Sequence, residues 1–215
     1  MIQFTGEQVV PWGMPHEALG TFQDHIRRYT WALPWVAGRE VVDLGCGTGY
    51  GAFMLSWVAR SVVGVDVSRQ ALEFGCGRFR AGNLSLYVGD VEADPLPPAE
   101  VYVAFEMFEH LLNPAVLIGR IRGMLIWSVP VDCPGEFHRQ VYSMEEACAL
   151  VPGSAIWYQS FGGEMVLREK ARFTPGYVCG VRNADCRTGT DQSRQLSTGE
   201  ARPWASAQSA LTIFR

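Results

Sequence analysis

Glu40-Val41-Val42-Asp43-Leu44-Gly45-Cys46-Gly47-Thr48-Gly49-Tyr50-Gly51 reads as a short buried strand, a tight glycine turn and the start of a helix. Glycines at alternate positions, Gly45, Gly47 and Gly49, let the backbone approach a ligand with no Cβ in the way. Gly47-Thr48-Gly49-Tyr50-Gly51-Ala52 also fits G-x-G-x-x-A, the looser dinucleotide fingerprint. Taken alone, such a match is weak, and a plain strand-to-helix turn is the alternative that the features downstream argue against.

Upstream, residues 16–33 have a helical pattern, with Phe22, Ile26 and Tyr29 on one face and Pro34 expected to close the helix. Downstream, strands and helices alternate, which is the signature of a parallel α/β sheet. Strands are expected at 40–44, 61–65, 84–88, 101–105 and 124–129, with two more at 154–161 and 177–182. Helices are expected at 50–60, at 69–80 behind an N-cap at Ser68, at 113–122 opened by Asn113-Pro114, and at 143–150 behind the Ser143/Glu146 capping box. Residues 184–215 are polar and aperiodic and read as a tail, leaving one domain over 1–183 with 1–36 as its helical lead-in.

Ligands of open α/β sheets sit outside the C-terminal ends of the strands. There the chain places an acid three times: Asp43 by the glycine turn, Asp66 in Val63-Gly64-Val65-Asp66-Val67, and Asp90 in Val88-Gly89-Asp90-Val91. A carboxylate at the first position would repel a pyrophosphate but is compatible with a ligand that is cationic at sulfur and nitrogen. That argues for S-adenosylmethionine over NAD. Asp66 can accept from both ribose hydroxyls and Asp90 from an adenine amino group. Singly, Asp66 could merely start a turn and Asp90 cap a helix. Three acids at successive strand ends around one glycine turn make the joint coincidence improbable.

The 215 residues are 48% hydrophobic and 19% charged, which suits a globular domain with a sizeable core. A net charge of −4 supplies no global attraction to nucleic acid, which is therefore a disfavoured partner. Of the six cysteines, at 46, 76, 133, 148, 179 and 186, no pair has C-x-x-C spacing, as expected of free thiols in a reducing compartment. Met1 to Val10 has no long apolar run, and no segment approaches a membrane span. The expected location is the cytoplasm.

With these features in place, the chain resembles the class I S-adenosylmethionine-dependent methyltransferases over about residues 6–182, and Val41 to Gly49 is close to that family's first motif. The resemblance implies a Rossmann-like, seven-stranded, mostly parallel sheet with helices on both faces, a last strand running antiparallel, and methyl transfer. Gly6-Glu7-Gln8-Val9-Val10-Pro11 and His25-Ile26-Arg27-Arg28-Tyr29 are similar to the lead-in of a bacterial and phage subgroup, in which the counterpart of Tyr29 lies near the cofactor's methionine end. Packing within the helix is the alternative for Tyr29. The cofactor set so implied is Tyr29, Asp43, Gly45, Cys46, Gly47, Gly49, Asp66, Val67, Asp90, Val91 and Phe105. Two departures are local: the turn Ile121-Arg122-Gly123 before the fifth strand is short, and Glu100 stands where the family often has Asp.

Phe105-Glu106-Met107-Phe108-Glu109-His110-Leu111 follows the fourth strand, where the transferring methyl should lie. His110 is a candidate general base, with Glu109 and the distant His138 beside it. Glu106, Glu109, His110 and His138 also form an E-x-x-E-H…H set with the chemistry to hold a divalent metal. That pattern is similar to one in small-RNA 3′-terminal 2′-O-methyltransferases, and its first part to ubiquinone-pathway O-methyltransferases. Tyr142, Tyr158 and Gln159 are candidates for a substrate wall, and Trp157 for the core. The expected activity is O-methylation of a small metabolite or sugar-like acceptor. An RNA 2′-O-methyltransferase and a non-catalytic cofactor-binding scaffold remain as alternatives, and NAD chemistry is disfavoured by Asp43.

Overall fold

The computed structural model describes residues 19–184, so the polar tail and the Gly6–Pro11 part of the lead-in lie outside the described residues. The chain runs α1 (Leu19–Val36), β1 (Glu40–Leu44), α2 (Tyr50–Ser56), β2 (Ser61–Asp66), α3 (Arg69–Cys76), β3 (Leu84–Val88), β4 (Val101–Phe105), α4 (Pro114–Arg120), β5 (Met124–Pro130), α5 (Met144–Ala149), β6 (Ala155–Gln159), β7 (Met165–Leu167) and β8 (Tyr177–Arg182). Among the described residues one sheet has eight strands in the order β3-β2-β1-β4-β5-β8-β6-β7. The first five are mutually parallel, and β8 runs antiparallel to β5, as expected of the last strand.

The count of seven is therefore corrected to eight. The extra strand, β7, is three residues long and pairs antiparallel with β6 at the sheet edge. It is a hairpin return after Gly162, which takes φ +70°. Three half-buried residues carry too little alternation to announce a strand. Other boundaries moved less. Pro34 does not close α1, which runs two residues further. A proline in the last turn forfeits one backbone bond but leaves the helix end intact, and the fully buried Val36 holds it down. The helices after β1 and β2 stop at Ser56 and Cys76, short of their expected ends.

Alternation along the strands divides the core into two layers. Val41, Val101, Val103 and Phe105 pack with α1, α2 and α3. Val42, Leu44, Tyr102, Ala104 and Trp127 pack with α4 and α5 on the opposite face. Helices thus cover both faces, and strands buried on both sides read as continuous apolar runs. The C-terminal ends of β1 to β5 open onto a single cavity of about 820 Å³. No described helix is long and apolar enough to cross a membrane.

Candidate active site

The first wall of the cavity is the glycine turn. Gly45 N–H and Cys46 N–H both donate to Val65 O, at 2.8 and 3.1 Å, which bends the chain across the end of β2. Gly45 and Gly47 have φ of +69° and +57°, a region that L side chains rarely adopt. A Cβ on Gly47 would meet no protein atom within 4 Å and would project into open space at a residue that lines the cavity. This is the cradle that a nucleoside cofactor needs. Gly49 plays a different part from the one expected. It lies off the cavity, and its missing Cβ makes room for Leu86 instead.

Asp66 lines the cavity next to Val67, and both its oxygens already accept backbone hydrogen bonds, from Gly47 N–H at 2.7 Å and Ser68 N–H at 2.8 Å. Burial pushes its pKa up and those two N–H groups pull it down. Each oxygen keeps a second lone pair. Asp90 and Val91 also line the cavity, with Asp90 braced by Glu92 N–H at 2.8 Å. Asp43 does not. It is fully buried behind the turn, where burial raises its pKa to about 8. Tyr29 Oη donates to it, at 3.1 and 3.3 Å from its two oxygens. The tyrosine ring lines the cavity together with Phe105, 5.1 Å away centroid to centroid. The carboxyl group thus acts on the cavity through a phenol, not by direct contact.

The opposite wall holds the histidines. Glu109 is buried, and its backbone carbonyl receives Arg139 N–H and Gln140 N–H at 2.8 and 3.0 Å, which folds the 133–140 loop over the end of β4. That loop brings His138 within 5.0 Å of His110, ring centroid to centroid. His138 Nδ1 faces Cys133 O at 2.8 Å, and His110 Nδ1 faces Phe137 O at 3.3 Å. A carbonyl can only accept, so in each of these two contacts the imidazole Nδ1 is the donor. Donor atoms of Glu109, His110 and His138 all fall within 4.8 Å of one another.

Glu106 is not with them, which corrects the expected four-residue set. Its φ is +49°, and its Oε1 accepts from Ser128 Oγ at 2.7 Å, so the carboxylate is turned toward β5. The i, i+3 spacing of Glu106 and Glu109 would put them on one face of a helix, but helical geometry starts only at Phe108. Of the expected substrate wall, Tyr142 and Gln159 are buried away from the cavity, and Trp157 packs with the core as expected. The sequence reading missed His25, Tyr177 and Phe161, all on the cavity wall. His25 could have been found, since it precedes Tyr29 by four residues on one helix face.

This fold, with a glycine turn after β1 and acids after β2 and β3, is that of the class I S-adenosylmethionine-dependent methyltransferases. Residues 41–125 match the family model of a methyltransferase domain, and the chain belongs to that class. A Mycolicibacterium smegmatis protein named as a probable S-adenosylmethionine-dependent methyltransferase is 34% identical over 119 residues, covering 54% of this chain and 45% of that one. A Ralstonia nicotianae ubiquinone biosynthesis O-methyltransferase is 30% identical over 97 residues, 40% of this chain and 41% of that one. The chain thus spans about half the length of the curated relatives it matches. Among solved structures, the magnesium protoporphyrin IX methyltransferase of Synechocystis with bound S-adenosylhomocysteine superposes with a TM-score of 0.58 at 16% identity, covering 77% of this chain and 84% of that one. The methyltransferase in complex with the Haloferax volcanii Trm112 activator gives 0.60 at 17%, covering 78% and 93%. Likeness at such identity speaks for the fold alone.

Proposed function

We propose that the protein transfers a methyl group from S-adenosylmethionine to an oxygen of a small acceptor. The observation that carries this reading is the convergence of Glu109, His110 and His138 on the cavity wall opposite the glycine cradle. The cofactor, when bound, supplies an electrophilic methyl on a sulfonium. The chain's own residues do the rest. Gly45, Cys46 and Gly47 give the cofactor room, Asp66 with Val67 takes the ribose, and Asp90 with Val91 takes the adenine. Tyr29, backed by Asp43 and packed on Phe105, borders the methionine end. His110 Nε2 removes the acceptor's proton. Buried Glu109, 3.9 Å from that atom, stabilises the imidazolium that forms, and His138 orients the acceptor. Alignment of the acceptor and exclusion of water supply the remainder of the rate.

A second reading of the same trio is supported by its geometry. One carboxylate oxygen and two imidazole nitrogens within 4.8 Å are a donor set for a divalent cation, which would orient an acceptor hydroxyl and lower its pKa. Calorimetric titration with S-adenosylmethionine, beside NAD at the same concentration, tests the shared premise. Binding of the former alone is expected, and binding of NAD alone would refute it. Turnover with and without EDTA then separates proton abstraction by His110 from metal assistance.

A further inference from the structure

The sheet has two outer edges, and the sequence treats them differently. β7 is three residues long, with Glu164 before it and Arg168-Glu169-Lys170 after it. Shortness and charge are the usual protection of an edge against pairing with another chain. β3 has neither. Leu84-Ser85-Leu86-Tyr87-Val88 carries no charge and no proline, and among the described strands it pairs with β2 alone, in unbroken register. The side chains of Leu84 and Leu86 pack on the first core layer, which fixes the strand in place. Tyr87 is 57% exposed and Val88 47%.

Which backbone groups this edge presents follows from the pairing with β2. A parallel strand bonds one neighbour through every second residue. Asn83 O accepts from Val62 N–H at 2.8 Å, and Gly89 N–H donates to Asp66 O at 3.0 Å. Asn83, Ser85, Tyr87 and Gly89 therefore face β2, and Leu84, Leu86 and Val88 turn their peptide groups outward. Leu84 N–H is taken by Ala81 O at 3.2 Å. No described strand takes up the rest of the row.

The row is self-complementary. A two-fold axis through Leu86 pairs that residue with Leu86 of a second copy, and Leu84 with Val88 of the second copy, once at each end. These are the positions at which antiparallel strands exchange backbone hydrogen bonds. In the same register Tyr87 falls opposite Ser85 of the second copy, at the closely spaced, non-hydrogen-bonded position, so a large ring covers a small side chain. Charge favours the same orientation. Arg78 and Arg80, both exposed, precede β3, and Glu92 and Asp94 follow it. Arg80 and Glu92 are equidistant in sequence from Leu86, and so are Arg78 and Asp94. A parallel copy would set like charges side by side. An antiparallel copy sets the basic flank of one chain against the acidic flank of the other, twice by symmetry. We propose that the protein forms a two-fold dimer in which β3 pairs antiparallel with β3 of a second copy, joining the two sheets into one. The inference is independent of the methyl-transfer reading.

The test uses the full chain. Sedimentation equilibrium should show a monomer–dimer equilibrium, and because a strand pair is a small interface, a Kd of about 1–100 µM is expected. Raising NaCl about ten-fold should weaken it at least about three-fold, since the flanking charges are open to screening. Tyr87→Lys changes an exposed side chain, so it should melt near the wild-type temperature and weaken the dimer at least about ten-fold. Oxidation reads the register. In a Cys76→Ser background, a mixture of Ser85→Cys and Tyr87→Cys chains should give a disulfide-linked dimer far faster than either chain alone. A wild-type protein that stays monomeric throughout overturns the proposal. A dimer that Tyr87→Lys leaves intact and that the cysteine pair does not link also overturns it, because the contact then lies on another face. Slow hydrogen exchange at the Leu86 and Val88 amides of a wild-type monomer overturns it as well, because a segment of the same chain then covers the edge.

Discussion

The hydroxyl of Tyr29 reaches both oxygens of Asp43, at 3.1 and 3.3 Å, in the core beneath the glycine turn. The pair joins α1 to the end of β1 and gives a fully buried acid a hydrogen-bond donor. Tyr29→Phe deletes the donor and leaves the carboxyl group buried without a partner. A loss of about 1–3 kcal/mol of stability is expected, read as a lower denaturant midpoint at constant m-value.

Asp43 should also impose a pH dependence on stability. Its folded pKa of about 8 lies above the unfolded value of 3.8, because burial disfavours the charged form. The native state therefore holds a proton that the unfolded chain has released, and stability falls as pH rises between those two values. Thermal melts of the ligand-free protein from pH 5 to pH 8 should show a falling Tm, and Asp43→Asn should flatten that fall. A Tm that rises with pH in the wild type, with the same slope in the variant, would contradict the assignment.

Two glycines of the opening stretch should separate by phenotype. A Cβ at Gly51 would lie 1.9 Å from Tyr29 Cζ, so Gly51→Ala must displace the tyrosine or the helix. A loss of at least about 1–3 kcal/mol is expected from overpacking. At Gly47 the added methyl meets nothing within 4 Å, and the cost is only that of φ +57°, about 1–2 kcal/mol. On the proposed reading, that methyl would occupy cofactor space. Gly47→Ala should fold and lose S-adenosylmethionine binding, whereas Gly51→Ala should first lose stability. Melting curves with calorimetry on both variants check the contrast.

How far the sequence disclosed this site follows from what each signal encodes. Strands β1 to β5 were legible because short apolar runs, ended by Gly45, Asp66, Gly89, Glu106 and Pro130, encode burial and position together. Asp43 was placed at the correct strand end but on the wrong side of the turn. Which way its carboxyl points depends on Tyr29, a contact across 14 residues that no local pattern records. Glu106 was misplaced because equal spacing on a chain means a shared face only where the chain is helical, and φ +49° breaks that premise. Arg28 was quoted as part of a motif and then left without a role. Its burial depends on Gln159, 131 residues away.

The separation of the two glutamates gives the most direct test of the histidine cluster. Glu106 is tied to Ser128, and Glu109 converges with His110 and His138, so the two should respond oppositely to substitution. His110→Ala is expected to lower kcat by about 10²–10⁴, the range of general acid–base catalysis, with little change in S-adenosylmethionine affinity. Glu109→Gln should follow it, since the imidazolium loses its buried counter-charge. Glu106→Gln keeps an acceptor for Ser128 Oγ and should leave kcat within a few-fold of wild type. If the trio holds a divalent cation, Glu109→Gln should weaken Mn²⁺ binding, measured by electron paramagnetic resonance, and Glu106→Gln should not. Equal losses of kcat in both glutamate variants would show that the carboxylates act as a pair, and that the tether to Ser128 does not persist in the working enzyme.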